Sequence, residues 1–177
     1  MILTGTEIDR RISDREITFT PYNPLHVNPN SIDITLSDRL LRYTQPVIDP
    51  RLEPEVEEIT IPETGFVLQP HSFWLGSSNE RVGSTKFVPL VHAKSSTARA
   101  GLFVHVTADL IDIGSIGVIT FQLYSTIAFK LYPGMRIGQM TFWRPFGEIK
   151  LYDGKYQNSG GPRKSMIHAD EFWKKFA

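Results

Sequence analysis

The residues SIDITL at 31–36 alternate strictly, with Ile32, Ile34 and Leu36 apolar and Asp33 and Thr35 polar between them. A repeat of two puts alternate side chains on opposite faces of an extended strand, a pattern that does not fit one face of a helix. Short apolar-rich stretches of the same kind recur as EEITI, GFVL, SFWLGSS, KFVPLVHAK, LFVHVTA, GVITFQLYS, AFKLY and RIGQMTFW. Breakers such as QPHS, TGF and YPGM stand between them, drawn from 12 prolines and 13 glycines spread along the chain. Many short strands joined by turns predict a mainly β domain, a jelly roll or barrel, without internal repeats. One helix is expected first. In LTGTEIDRRI, Thr4 and Glu7 have capping-box spacing, Leu3 and Ile8 can staple, and Ile8 and Ile12 share a face to about Ser13.

A length of 177 residues predicts one domain, large enough to bury roughly two-thirds of its unfolded surface. The 19 basic and 19 acidic residues cancel. A broad nucleic-acid surface, which needs a basic excess to displace counterions, is therefore not expected, and any anion site must be a local cluster of donors. The absence of cysteine removes disulfides, thiolate metal sites and a cysteine nucleophile, and the 5 histidines are scattered. The N-terminal residues lack a secretory pattern and no apolar run approaches the ~20 residues of a membrane span, so a cytoplasmic protein is expected.

Two stretches stand out as ligand-binding candidates. KSSTARAG at 94–101 concentrates two cations and three hydroxyls in a β-rich chain. Donors packed so closely suit phosphate oxygens, although Ser and Thr beside Arg also occur on ordinary loops. LYDGKYQNSGGPRKSM at 151–166 carries glycines, small polar residues and three cations, with little to pack in a core. It reads either as a solvated tail or as a lid over a ligand, ahead of a short closing helix over 170–176.

Three segments together resemble a dCTP deaminase of the trimeric dUTPase-like superfamily: NPNSIDITL at 28–36, KSSTARAGLFVHVTADLID at 94–112 with YPGMRIGQ at 132–139, and GKYQNSGG at 154–161. The resemblance runs nearly end to end. It implies a distorted jelly-roll or β-barrel subunit, a homotrimer with sites at subunit interfaces, and a nucleoside triphosphate carrying Mg2+. It further implies that Lys94, Ser96 and Arg99 hold phosphate, and that Lys94 and Ser95 also serve catalysis, with Ser95 on the attacking water. Ala108, Asp112 and Thr120 would belong to the nucleoside pocket, and Tyr152, Lys155 and Gln157 would close over the nucleotide. Lys94 stands where the family usually has arginine, which keeps the charge and loses the fork. Asp112 also reads as a plain turn residue before Gly114. Product feedback by dTTP is a further implication.

The departure that matters is Gln122. Hydrolysis at C4 of cytosine needs a proton taken from water and one given to the amine. Zinc deaminases use a Cys/His-held metal and a glutamate, a site that a cysteine-free chain does not build, so protein groups must act alone. The resemblance assigns that role to a glutamate, and Gln122 occupies the position. An amide of the same shape hydrogen-bonds the same partners and takes up no proton, a loss of typically about 10²–10⁴ in rate. Three readings follow: a dCTP deaminase slowed by Gln122 or served by another carboxylate such as Asp109 or Glu80, a dUTP diphosphatase or bifunctional deaminase–diphosphatase, and a nucleotide-binding trimer without turnover. The diphosphatase reading draws on Asp112 and SGG at 159–161, though Pro162 follows where a stacking phenylalanine would be needed.

Overall fold

The computed structural model describes residues 1–173. In chain order its elements are α1 (Gly5–Ser13), β1 (Ile17–Thr20), β2 (Ile32–Tyr43), β3 (Val56–Thr60), β4 (Phe66–Leu68), β5 (Phe73–Ser84) and β6 (Val88–Ala93), then α2 (Ser95–Arg99), β7 (Leu102–Phe103), β8 (Ile116–Ser125), β9 (Phe129–Leu131) and β10 (Arg136–Trp143). An 8-stranded sheet runs in the order β6-β10-β2-β5-β8-β7, with β1 added on β5 and β3 on β2, and β4 and β9 form a separate ribbon. All of these strand pairings are antiparallel. The result is a mainly β, nearly closed barrel-like sheet behind one N-terminal helix, as the period-two stretches predict.

The sheet curls because its long strands change partners. β2 pairs with β10 from Ile32 to Thr35, then with β5 and with β3 toward Tyr43. Register shifts in β2, β5 and β10 mark the bends, as bulges do in closed sheets. Inside lie Ile32, Ile34, Leu36, Phe121, Leu123, Ile137 and Phe142, each essentially without solvent contact. The polar positions of SIDITL are buried too, Asp33 to 1% exposure and Thr35 to 8%. Their face is covered by ion pairs and by Glu80, so the first half of β2 has no solvent side, and exposure begins only at Asp38.

α1 ends at Ser13 as expected, and Leu3 and Ile8 both join the core. The expected capping box does not form. Thr4 makes no side-chain cap bond, and the Glu7 carboxylate turns instead to Arg10 and Arg11 one turn on. Those two guanidiniums hold its pKa down at about 2. Gly5 is needed at the helix start, because a Cβ there would lie 2.0 Å from the Asn28 carbonyl oxygen.

One other expectation is corrected. LFVHVTA is strand only over Leu102–Phe103, and the chain then runs as a loop that touches β6 through a single bridge, Leu110 to Leu90, before β8 begins at Ile116. A 3₁₀ turn covers Ile167–Ala169, residues 170–172 form a bend and turn, and the end of the helix expected over 170–176 lies outside the described residues. ITFT at 17–20 forms β1, a strand the sequence patterns above do not single out.

Candidate active site

β8 supplies the floor of the main cavity. Its burial alternates along all of Ile116–Ser125: Gly117, Ile119, Phe121 and Leu123 face the core, while Val118, Thr120 and Gln122 lie on the half-open face. Those three line a cavity of about 490 Å³, together with Ala108 and Ile111 from the loop after β7, and Leu75 and Val82 from β5. Such a volume fits a small organic ligand. The opposite wall is the segment 151–166, through Tyr156, Ser159, Arg163, Lys164 and Ser165. Among the described residues, no Asp or Glu lines the cavity.

The tail segment is fixed along β8 by backbone bonds. Asn158 N–H donates to the Ile116 carbonyl at 3.1 Å and Val118 N–H to the Ser159 carbonyl at 3.0 Å. Gln157 clamps the start of the strand, accepting from Ile116 N–H at 2.8 Å and donating to the Gly114 carbonyl at 2.8 Å. Further along, Arg163 N–H donates to the Thr120 hydroxyl at 3.1 Å, and Ser165 N–H donates to Tyr43 Oη at 2.9 Å. Gly117 permits this approach, since a Cβ would stand 2.8 Å from Ser159 N.

Gln122 sits where β8 passes the loop. Its own N–H donates to the Val104 carbonyl at 2.9 Å. Its side-chain Oε1 accepts from Val106 N–H at 3.0 Å and, more weakly, from Thr107 N–H at 3.4 Å. Backbone N–H groups only donate, so the amide is oriented with its oxygen on the loop. Nearby, burial pushes the His92 pKa down, partly offset by Asp109. His105 lies 6.5 Å away ring to ring, and its Nδ1 is buried without a partner among the described residues.

The phosphate-type cluster is separate from the cavity in this chain. Ser95, Ser96 and Arg99 are exposed on the short helix α2. Lys94 directs Nζ at 2.5 Å onto Asp33, whose carboxylate also accepts from Arg136 at 3.3 Å and Asn28 at 2.8 Å. Asp33 is the residue the sequence reading passed over: its burial and its cations explain how α2 is seated. Asp112 is exposed and accepts Ser115 N–H at 3.0 Å, closing a turn before Gly114, whose φ of 95° suits glycine. Tyr152 accepts Tyr156 N–H at 3.1 Å, and Lys155 spans to the Met166 carbonyl and Asp170. Of the expected site residues, Ala108, Thr120 and Gln122 therefore meet in one cavity, whereas Lys94, Ser95, Ser96, Arg99, Asp112, Tyr152, Lys155 and Gln157 do not line it.

Neither alternative carboxylate lines the cavity. Glu80 is 3% exposed, with one oxygen accepting Thr35 N–H at 2.8 Å and the other the Thr35 hydroxyl at 2.7 Å. Asp109 is half-buried behind the loop, its carbonyl taking Val91 N–H.

A family model described as dCTP deaminase-like matches residues 2–145, a span that holds β8, α2 and the loop between them. The chain belongs to the dCTP deaminase-like family. Relatives in that family include a Clostridium botulinum protein named "dCTP deaminase, dUMP-forming", 39% identical over 96% of this chain and 98% of its own length. Proteins of the same name from Clostridium beijerinckii and Leptospira biflexa are 38% and 36% identical over the same shares. The solved 2'-deoxycytidine 5'-triphosphate deaminase of Agrobacterium tumefaciens has a similar fold, with a TM-score of 0.65 at 19% identity. That match covers 80% of this chain and 47% of the longer Agrobacterium chain, so the chain spans about half of its length. Among the described residues of this family member, no three His, Asp or Glu side chains are grouped to hold a metal ion, and no helix is long and apolar enough to cross a membrane.

Proposed function

We propose that the protein hydrolyses the amine from dCTP, giving dUTP and ammonia, at a rate limited by Gln122. The observation that carries the reading is the near end-to-end match to proteins named for this reaction. β8 at the floor of the cavity and the 104–112 loop at its side both lie within the matched residues. Water must attack C4 and lose a proton while the departing amine gains one. Gln122 is held against the loop by its oxygen, so its amide orients groups near the ring but exchanges no proton with them.

The exposed donors of α2 require a second step in this proposal. Ser95, Ser96 and Arg99 do not reach the cavity of their own chain, so a homotrimer in which α2 of one copy completes the cavity of another brings phosphate and base sites together. Ser95 would then hold the attacking water, and Mg2+ would arrive on the triphosphate as part of the substrate. The 151–166 segment would act as the closing wall, with Tyr152, Lys155 and Gln157 holding its shape and Asp112 shaping the turn beside the sugar. The place of action is the cytoplasm, where deoxynucleotides are made.

The test is direct. Magnesium and dCTP are supplied, and ammonia and pyrophosphate are measured separately, because the relatives' named product, dUMP, requires loss of both. Gln122→Glu should raise ammonia release by about 10²–10⁴. Unchanged ammonia release in that variant would remove Gln122 from the chemistry, and pyrophosphate from dUTP without ammonia from dCTP would replace deamination with diphosphatase activity.

A further inference from the structure

The polar groups around the cavity are unequally spent. Gln122 has one side-chain acceptor atom, and both of its lone-pair directions go to Val106 N–H and Thr107 N–H. Its Nε2 has no partner among the described residues, and this is the end of the side chain left on the half-open face of β8 beside Thr120 and Val118. Tyr43 Oη and Tyr156 Oη each accept a backbone N–H already, from Ser165 and Met166, and each keeps its own hydrogen to give. Arg163 lies on the same wall and has no acceptor capacity. No carboxylate is on the lining among the described residues, and the hydroxyls of Ser115, Thr120, Ser159 and Ser165 both give and accept, so the Gln122 amide is the uncharged lining group whose free end only donates.

We infer that Gln122 makes this cavity selective for a pyrimidine carrying an oxygen at C4 over one carrying an amine there. A 4-oxo ring presents a carbonyl to Nε2. A 4-amino ring presents N–H to N–H, and one of the two donors is left dry and unpaired. The amide cannot escape by rotating, because a half-turn would set Nε2 against the two backbone N–H groups and lose both bonds. The inference rests on the reading of the cavity as a pyrimidine nucleotide site. It adds to that reading that the deaminated ring is held more tightly than the ring still carrying its amine, so the product competes with its own precursor.

Calorimetric titration with magnesium tests this, using the α,β-imido analogues of dUTP and dCTP, with ammonia followed in the same samples to exclude conversion. The uracil analogue should bind about 5- to 100-fold more tightly in the unaltered protein. Gln122→Glu should abolish or reverse that preference, since a carboxylate accepts from a 4-amino group and repels a 4-oxo group. Gln122→Met, which fills the space without a donor, should reduce it, and serves if the glutamate variant folds poorly. Equal binding of the two analogues, or tighter binding of the cytosine analogue by the unaltered protein, overturns the inference and leaves the nucleotide site standing. A uracil preference that survives both substitutions removes Gln122 as its cause. Binding of neither analogue overturns the nucleotide site itself, and the inference with it.

Discussion

Replacing Asp33 by asparagine removes one negative charge at nearly constant volume, and the surroundings decide what that costs. The carboxylate is 1% exposed and receives three donors: Asn28 Nδ2 at 2.8 Å on one oxygen, with Lys94 Nζ at 2.5 Å and Arg136 at 3.3 Å on the other. An amide in its place must turn its NH2 toward either Asn28 or the two cations, and each choice sets donor against donor. The Arg136 arm is long and its side chain 52% exposed, so water takes over that contact at little loss. Lys94 is only 24% exposed, and a charge-assisted bond of its kind is typically worth about 1.5–3 kcal/mol. With the Asn28 bond strained as well, the expected loss is about 2–4 kcal/mol. For a chain of this size that is a drop of roughly 5–15 °C in the melting midpoint. Urea unfolding at fixed protein concentration measures it. A loss under about 1 kcal/mol would mean that the cluster is a loose surface arrangement, and the account of how α2 is seated would fail.

Phe121→Ala empties a fully buried site on the core face of β8 and should cost about 3–5 kcal/mol in urea unfolding, with a cost near zero refuting the assigned packing. Gly117→Ala drives a Cβ to within 2.8 Å of the Ser159 backbone, so limited proteolysis should cut 151–166 faster while the remaining fold keeps its melting behaviour. The His92 ring should titrate by NMR below its ordinary value of 6.5, because burial disfavours its charged form. The folded protein then binds fewer protons than the unfolded chain, so this group's contribution to stability declines as pH falls from about 6.5 toward the lowered value. A midpoint at or above 6.5 would refute that environment.

The strands were legible because their burial on one face repeats every two residues: GVITFQLYS became β8 with its alternation intact. LFVHVTA has a similar look and mostly failed, because after Val104 its backbone N–H groups turn to the Gln122 side chain in place of continuing the ladder with β8. Local spacing also misled at Glu7, where two arginines within one helical turn outcompeted the cap. Asp33 could not be read at all. Its cationic partners lie 61 and 103 residues along the chain, beyond any periodicity, and its alternation with isoleucines looked like an ordinary solvent face. The candidate site was half legible: Gln122, Thr120 and Ala108 meet in one cavity, but the contributions of Tyr43, Arg163 and Lys164 depend on a tail path that composition alone does not set.

β2 draws its neighbours from far down the polypeptide: β3 follows shortly, β5 later, and β10 only after residue 135. While the chain is still emerging from a ribosome, the isoleucines of this strand and the charge between them have nowhere to go. Contacts this distant make closure slow and leave sticky strand edges uncovered in the meantime. A nascent or truncated chain stopped before Arg136 is therefore the species most in need of a chaperone, since a barrel missing its last stave holds neither its shape nor its solubility.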